Sequence, residues 1–122
     1  MYHSLFQGKI IGLLYAHLRG GEALAECAIR TEKGTKVADV AWCSTQRLQQ
    51  IRNEAECSVA PEICIEVMSP ARLEEMEVKR NLYFANGAEE VWICDQNGRF
   101  TFFLNSEESG KSLLAPNFPD SL

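Results

Sequence analysis

The chain has 122 residues, with 12 lysines and arginines against 17 aspartates and glutamates, which gives a formal net charge of −5. This length suits one domain with a single hydrophobic core, so we predict one domain over residues 1–122. The acidic balance argues against a protein that coats nucleic acid and against one that binds membranes through a polybasic surface.

The first half of the chain is predicted to hold two helices and three strands. An amphipathic helix over residues 3–18 ends at a glycine pair. Two strands, over residues 24–30 and 37–43, are joined by a polar turn. A Ser-Thr pair then offers a cap for a short helix, and a third strand is predicted over residues 63–68.

A second long helix is predicted to start at Ser69-Pro70. Serine offers its hydroxyl to an unpaired backbone N–H, and proline at the first helical position loses no donor that the helix needs. The helix is predicted to end at Asn86-Gly87, because glycine suits the left-handed conformation that follows many helices.

The last predicted elements are two strands and a tail. Strands over residues 90–95 and 99–104 are joined by the hairpin dipeptide Asn97-Gly98, in which both residues tolerate positive φ. Residues 105–122 are predicted to be an irregular tail. The order of elements predicts an α/β fold with a mixed β-sheet of about five strands flanked by helices.

Two carboxylates do not fit the apolar strands that carry them. Strand alternation puts Asp39 on the face of Ala41, and it puts Glu66 on the face of Cys64. Burying an isolated carboxylate is costly, so each needs an arginine near a strand end, a solvent cleft or a metal. Two acids about 4 Å apart repel by about 4 kcal/mol at an effective dielectric constant of about 20. A divalent cation removes that repulsion, and oxygen ligands favour Mg²⁺ or Mn²⁺.

A basic residue on the second long helix could reach the same region. Lys79 lies on the shoulder of the apolar stripe, from which its side chain could extend toward the sheet. The alternative for Lys79 is an ordinary i,i+4 ion pair with Glu75 on the helix surface. Arg80 lies nearer the centre of the stripe, and spacing alone leaves the choice between the two open.

These residues belong to an ordered set of motifs that is similar to a known family. The motifs are Ala38-Asp39-Val40, Ile65-Glu66-Val67-Met68-Ser69-Pro70, Lys79-Arg80-x-x-Tyr83 and Gly87-Ala88-Glu89-Glu90-Val91-Trp92-Ile93-Cys94-Asp95. The set resembles the Uma-two family of putative restriction endonucleases, within the PD-(D/E)xK nuclease-like superfamily. His3 resembles the histidine that often opens the first helix of that family, and the resemblance spans roughly residues 3–104.

The chain departs from the family pattern in two respects. Ala38 stands where the family usually has proline, and both ends of the chain are short. Met68 stands where the wider superfamily has its lysine, two residues after the glutamate. In the Uma-two pattern that lysine is relocated to the following helix, where Lys79 matches it. The resemblance therefore favours Lys79 over Arg80 by analogy.

The resemblance implies a restriction-endonuclease-like three-layer core and a metal-dependent endonuclease that hydrolyses DNA phosphodiester bonds. Asp39 and Glu66 would hold Mg²⁺ or Mn²⁺, with the backbone carbonyl of Val67 as a third ligand and Lys79 beside the attacking water. Glu26 is a further candidate ligand from a neighbouring strand. The alternative function is a catalytically silent domain of the same fold that serves as a binding or oligomerisation module.

DNA is the partner that this function implies, and its phosphates would require local basic patches. The candidates are scattered enough to be an ordinary solvated face instead; they are Arg30, Lys33, Lys36, Arg72, Lys79 and Arg80. The phenylalanine-rich strand over residues 99–104 could form a homodimer surface or pack in the core.

Cysteine usage and the absence of sorting signals predict the compartment. The chain lacks a Cys-x-x-Cys motif, and its cysteines are predicted to be reduced and without zinc; they are Cys27, Cys43, Cys57, Cys64 and Cys94. No apolar run reaches the roughly 20 residues of a membrane helix, and the N-terminus lacks a signal-peptide pattern. We therefore expect a cytoplasmic protein without membrane contact.

Overall fold

A six-stranded sheet with helices on both faces organises the molecule. The structure, a computed structural model, describes residues 1–105 and 107–122. Its helices are α1 (Tyr2–His17), α2 (Thr45–Ile51) and α3 (Leu73–Ala85). Its strands are β1 (Gly21–Thr31), β2 (Gly34–Ser44), β3 (Ile63–Val67), β4 (Glu90–Cys94), β5 (Phe100–Leu104) and β6 (Glu107–Ser109). None of the helices in these residues is long and apolar enough to cross a membrane.

The strands lie in the sheet in chain order, from β1 to β6. Among the described residues, β3 and β4 are the one pair of neighbouring strands that run parallel. The chain between them forms α3, which returns it to the end of the sheet where β3 began. This mixed sheet confirms the predicted α/β class. The sixth strand, β6, differs from the prediction, which placed these residues in an irregular tail. The segment Glu-Glu-Ser has only three residues and no apolar alternation, so the sequence gives no strand signal here. Its residues form a strand because they pair with β5.

Two hydrophobic clusters fill the space between the three layers. On one face, Ile10 and Leu14 of α1 pack with Trp92 and with two tail residues, Ala115 and Phe118. On the other face, α3 packs against the sheet through residues that include Met76 and Tyr83. The tail therefore contributes to the core, which its irregular sequence did not predict.

The aromatic strand β5 lies inside the sheet, between β4 and β6. Phe102 is buried, while Phe100 and Phe103 pack against the two clusters on opposite faces of the sheet. Of the two interpretations of this strand, core packing is therefore the one that the structure supports.

The beginning of α3 differs from its prediction. Pro70–Arg72 forms a 3-10 turn, α3 begins at Leu73, and the Ser69 side chain makes no capping hydrogen bond. The turn is closed instead by the backbone, because Arg72 N donates to Ser69 O at 3.0 Å. The predicted end is confirmed, since Gly87 follows the helix with φ of 106°.

The β4–β5 turn uses only one of its two permissive residues. Gly98 has φ of 83°, whereas Asn97 does not adopt positive φ. The Asp95 carboxylate organises this turn, because its Oδ1 accepts hydrogen bonds from the backbone N–H groups of Asn97 and Arg99 at 2.9 and 3.0 Å.

Candidate functional site

The regular alternation of β2 is interrupted at Asp39. Ala38 and Ala41 both pack in the cluster on the α3 face, whereas Val40 between them packs on the α1 face. Opposite Asp39 on β1, Glu26 adopts φ of 51°, and these two residues drop out of an otherwise continuous register. Simple alternation therefore does not hold from Ala38 to Ala41, because the local backbone resets the pattern at Asp39.

The Asp39 side chain lies at the junction of α1, β2 and the end of β3. Its Oδ2 accepts a hydrogen bond from the backbone N–H of Val67 at 2.8 Å, and His3 Nε2 lies 3.1 Å from the same oxygen. Gln7, one turn after His3 on α1, donates to the Asp39 carbonyl at 2.8 Å and to Glu26 Oε1 at 3.0 Å. The first two turns of α1 therefore hold the Asp39 segment from one side.

Glu66 lies in the middle layer, with 1 % of its surface exposed. Its Oε2 accepts a hydrogen bond from the Tyr83 hydroxyl at 2.7 Å and lies 3.2 Å from the Lys79 ammonium. Its Oε1 is buried and has no hydrogen-bond partner among the described residues. One oxygen of this carboxylate is thus fully engaged by α3, and the other is left without a donor.

Lys79, rather than Arg80, reaches the carboxylate of Glu66. Besides its contact with Glu66, the Lys79 ammonium donates to the Val37 carbonyl at 3.1 Å, so the side chain bridges α3 to two strands. The Arg80 guanidinium instead stacks on the Phe103 ring, 4.1 Å from its centre. Glu75, the alternative partner of Lys79, is paired with Arg72 at 2.7 Å.

Burial controls the ionisation of Glu66. Desolvation raises the pKa of Glu66 to about 8; the Lys79 ammonium opposes this rise, the Asp39 carboxylate adds to it, and the Tyr83 hydroxyl opposes it. Burial and the neighbouring Glu66 carboxylate also raise the pKa of Tyr83 above its usual range, so the phenol remains a hydrogen-bond donor. A cation close to Glu66 Oε1 would favour the ionised form.

The carboxylate oxygens fit a divalent metal ion. Glu66 Oε1 is an orphaned buried acceptor, and Asp39 Oδ1 receives no hydrogen bond from the described part of the chain. In residues 1–105 and 107–122, no three His, Cys, Asp or Glu side chains are grouped closely enough to hold a metal, so Glu26 does not complete such a set. Mg²⁺ is often bound by only one or two carboxylates together with water, so two carboxylates suit it.

The candidate site is shallow. The side chains of Asp39 and Lys79 are 14 % and 16 % exposed. The side chain of His3, at the rim of the site, is 42 % exposed. Five surface cavities of the described residues, of about 270 to 440 Å³, have other linings than Asp39, Glu66 and Lys79.

Two contributors to the site were not predicted from the sequence. Gln7 lies four residues after His3, so both side chains project from one side of α1, a spacing that could have indicated a shared target. Tyr83 lies four residues after Lys79 on α3 and appears in the family motif, but it carried no predicted role.

The predicted basic residues differ in how far neighbouring acids neutralise them. Arg30 pairs with Glu56 at 2.9 Å and Arg72 pairs with Glu75. No ion pair to Lys33 or Lys36, at the β1–β2 turn and the start of β2, is formed within the described residues. Of the six basic residues predicted from the sequence, these two lysines are neither paired with an acid nor stacked on a ring in the part of the chain that the structure describes.

A mixed sheet between helices, with acidic residues on neighbouring strands and a lysine on the crossover helix, defines a restriction-endonuclease-like fold. The structure is similar to that of a putative nuclease belonging to DUF820 from Anabaena variabilis, with a TM-score of 0.72 and 19 % sequence identity. The match covers 88 % of this chain and 65 % of that one, so this chain spans about two thirds of its neighbour's length.

The sequence itself carries the family assignment. The model of the Uma2 (Uma-two) family, described as putative restriction endonuclease, matches residues 2–121, and the chain belongs to that family. The resemblance noted for residues 3–104 is thereby confirmed and extends through the tail. No curated protein is significantly similar to the chain.

Proposed function

We propose that the chain is a Mg²⁺- or Mn²⁺-dependent endonuclease of the PD-(D/E)xK type that hydrolyses DNA phosphodiester bonds in the cytoplasm. Asp39 and Glu66 are its metal ligands, the Val67 carbonyl is the third, and Lys79 is the catalytic lysine. The observation that carries the proposal is the meeting of three elements: Lys79 of α3 lies 3.2 Å from Glu66 of β3, and Asp39 of β2 accepts from Val67 N at 2.8 Å.

Each side chain of the site has a distinct task in this proposal. The chemistry that a bound Mg²⁺ supplies is polarisation of a phosphoryl oxygen and a lower pKa for water. Tyr83 and His3 hold the two carboxylates in place through Glu66 Oε2 and Asp39 Oδ2. The Lys79 ammonium, which has only donors, orients the attacking water and offsets the negative charge that develops on the phosphate.

Cleavage of supercoiled plasmid DNA tests this function. With Mg²⁺ or Mn²⁺ the protein should convert the supercoiled form to nicked and linear forms, and EDTA should stop the conversion. Asp39→Asn and Glu66→Gln keep the side-chain size and one acceptor oxygen but replace the other oxygen with an NH2 donor and remove a negative charge. Each should therefore lower the rate at least about 100-fold. Lys79→Met should do the same.

The matched control is Glu77→Gln, an exposed carboxylate on the same helix as Lys79. It should cleave at the wild-type rate. Wild-type cleavage that persists in Asp39→Asn or Glu66→Gln would remove these residues from the site and contradict the proposed function.

A homodimer is part of the same proposal. One site cuts one strand, so cleavage of both strands at one position requires two copies or two binding events. The chain's net charge of −5 does not attract DNA, and two copies would double the number of local basic contacts. Sedimentation of the protein with and without a short duplex measures the stoichiometry, and a single copy per duplex would contradict the dimer.

A second candidate function is a catalytically silent binding module of the same fold. The observation in its favour is that Lys79 already provides Glu66 with a positive partner, so the acids do not need a metal for charge compensation. Such a module would retain DNA in a gel-shift assay with EDTA and would never cut it with any divalent ion.

A further inference from the structure

Two thiols lie in contact at the free edge of the sheet, on the β1 side of the molecule. The sulfur atoms of Cys27 and Cys57 are 3.6 Å apart, and neither is in a disulfide. Cys27 is in β1 and is 6 % exposed, whereas Cys57 is half-buried in the connection between α2 and β3. The candidate nuclease site uses neither side chain.

The backbone keeps the two thiols together. Cys57 N donates to the Ala28 carbonyl at 2.8 Å, and Arg30 N donates to the Cys57 carbonyl at 2.9 Å, so Cys57 forms a parallel bridge opposite Ile29. Cys57 is therefore attached to the outer edge of the same strand that carries Cys27. The two sulfur atoms would have to approach each other by roughly 1.5 Å to reach the length of a disulfide bond.

A polar network holds the Cys57 segment from the other side. Glu56, the preceding residue, accepts hydrogen bonds from Arg30 Nε at 2.9 Å and from the Thr35 hydroxyl. Glu54 accepts from the N–H and the hydroxyl of Ser58, each at 2.9 Å. The connection is thus fastened on both sides of the cysteine, which favours an intramolecular partner over an external one.

We propose that Cys27 and Cys57 form a modification site at which hydrogen peroxide produces an intramolecular disulfide that a thiol reductant opens again. In the first step the Cys57 thiol releases its proton, the thiolate attacks one oxygen of hydrogen peroxide, and the O–O bond breaks. Cys57 sulfenic acid forms, and the departing hydroxide takes up a proton to become water. In the second step Cys27 sulfur attacks Cys57 sulfur, the S–O bond breaks, and a second water leaves with the Cys27 proton. Two thiols lose two electrons in total, and hydrogen peroxide accepts both.

The environment distinguishes the two sulfurs and explains this order. The contact between the two thiols lowers the pKa of Cys57, whereas the same contact together with burial raises the pKa of Cys27. Cys57 is also the more exposed of the two. It therefore reacts with the peroxide, and Cys27 resolves the sulfenic acid.

The other three cysteines lack these properties. Burial raises the pKa of Cys43 and that of Cys94 to about 12 each, and it raises the pKa of Cys64 far above the usual range. All three are buried. A buried thiol of high pKa reacts slowly with peroxide, so none of the three should form the sulfenic acid that starts the reaction. Cys27 is buried as well, but its sulfur already lies 3.6 Å from that of Cys57, so oxidation should be confined to the one pair.

The disulfide would fasten the α2–β3 connection to the edge strand. It would close a loop over residues 27–57 and restrict the unfolded chain, which should raise the melting temperature by about 5–15 °C. β1 also carries Glu26, which Gln7 joins to the Asp39 segment, so the cross-link and the candidate site share one strand.

The test counts thiols in the full chain before and after oxidation. Reduced protein is freed of reductant, treated with a small excess of hydrogen peroxide, unfolded and alkylated, and its intact mass is measured. Two of the five thiols should become unavailable to alkylation, dithiothreitol should restore both, and proteolysis should yield one peptide pair that joins Cys27 to Cys57.

Serine variants then separate the roles of the two sulfurs. Cys57→Ser should retain all of its remaining thiols, and Cys27→Ser should accumulate a sulfenic acid on Cys57 that dimedone traps. Cys94→Ser is the matched control, because this buried thiol lies outside the pair, and it should still lose two thiols.

Three results would overturn the proposal. They are five alkylatable thiols after peroxide treatment of the wild type, a disulfide that links two chains, and a bond that maps to other cysteines. The wild-type peptide map alone decides among these results, so a variant that fails to fold does not weaken the test.

Discussion

At the scale of single residues, the two oxygens of Glu66 are used unequally. Oε2 receives the Tyr83 hydroxyl and the Lys79 ammonium, while Oε1 is buried without a donor. Such an arrangement is poor for stability, because an unpaired buried acceptor forfeits its solvation. Burial, which leaves Oε1 without a donor, is also the main cause of the raised pKa of Glu66. In the proposed function, a bound cation would provide the partner that Oε1 lacks.

The raised pKa of Glu66 predicts how stability depends on pH in the metal-free protein. Between its usual value of 4.5 and about 8, the folded state keeps a proton on Glu66 that the unfolded state has released. The contribution of Glu66 to stability is therefore complete below pH 4.5, decreases as the pH rises to about 8, and is constant above that value.

Urea unfolding in EDTA across this pH range, for the wild type and for Glu66→Gln, measures the effect. The free energy of unfolding of the wild type should decrease relative to the variant as the pH rises. Parallel curves for the two proteins would show that Glu66 ionises at its ordinary pKa, and the description of its burial would then be wrong.

At the scale of elements, the irregularity of β1 and β2 positions Asp39. Glu26 adopts φ of 51° in the middle of an 11-residue strand, opposite the residue at which β2 changes its alternation. A non-glycine residue pays for this conformation through the clash of its Cβ with the backbone, typically about 1–2 kcal/mol. The irregularity persists because Gln7 and Val67 hold both sides of it.

Substitution of Glu26 by glycine and by alanine tests this strain. Both changes remove the contact with Gln7, so the difference between them isolates the backbone. Glu26→Gly should be more stable than Glu26→Ala by about 1 kcal/mol, because glycine adopts positive φ without a steric cost.

Glu22, in a regular part of β1, provides the control pair. There Glu22→Gly should be less stable than Glu22→Ala by about 0.5–1 kcal/mol, since glycine loses more conformational freedom in a strand. Thermal or urea unfolding of the four variants gives both differences. The same sign at both positions would contradict the strained conformation of Glu26.

Some elements could be predicted from local pattern and others could not. The neighbouring strands that carry Asp39 and Glu66 follow from apolar runs, and the end of α3 follows from Asn86-Gly87. The tail was missed because its burial depends on distant contacts: Glu90 Oε2 accepts from Leu113 N and Leu114 N at 3.1 and 2.8 Å. No period within residues 105–122 reveals such a partner.

The candidate site was predictable only in part for the same reason. Spacing brought both Lys79 and Arg80 near the apolar stripe, and the family resemblance was needed to prefer one. In the structure, the Arg80 guanidinium stacks on the ring of Phe103 in β5, whereas the Lys79 ammonium contacts Glu66. A helix pattern contains no information about which strand residues lie beneath it.

At the scale of the whole molecule, a net charge of −5 requires that any DNA contact be local. Arg30 and Arg72 are neutralised by glutamates, whereas no ion pair to Lys33 or Lys36 forms within residues 1–105 and 107–122. Among the basic residues predicted from the sequence, we therefore expect Lys33 and Lys36 of the β1–β2 hairpin to contact phosphates.

The double variant Lys33→Ala/Lys36→Ala tests this surface. It should bind a short duplex more weakly than the wild type, and its affinity should depend less on salt, by up to about two in the slope of log K against log salt. Lys9→Ala/Lys111→Ala removes the same charge from other parts of the chain and should change neither quantity as much. Fluorescence anisotropy across a salt series gives both, and equal slopes for the two variants would exclude the hairpin as the contact.

Titration calorimetry with Mn²⁺ measures, without relying on activity, whether Asp39 and Glu66 together bind a divalent ion. The wild type and Glu77→Gln should each show one site per chain with the same affinity. Asp39→Asn and Glu66→Gln should each lose that site. An isotherm that is unchanged in both variants, or a wild type that binds no ion, would show that these two carboxylates do not form a metal site.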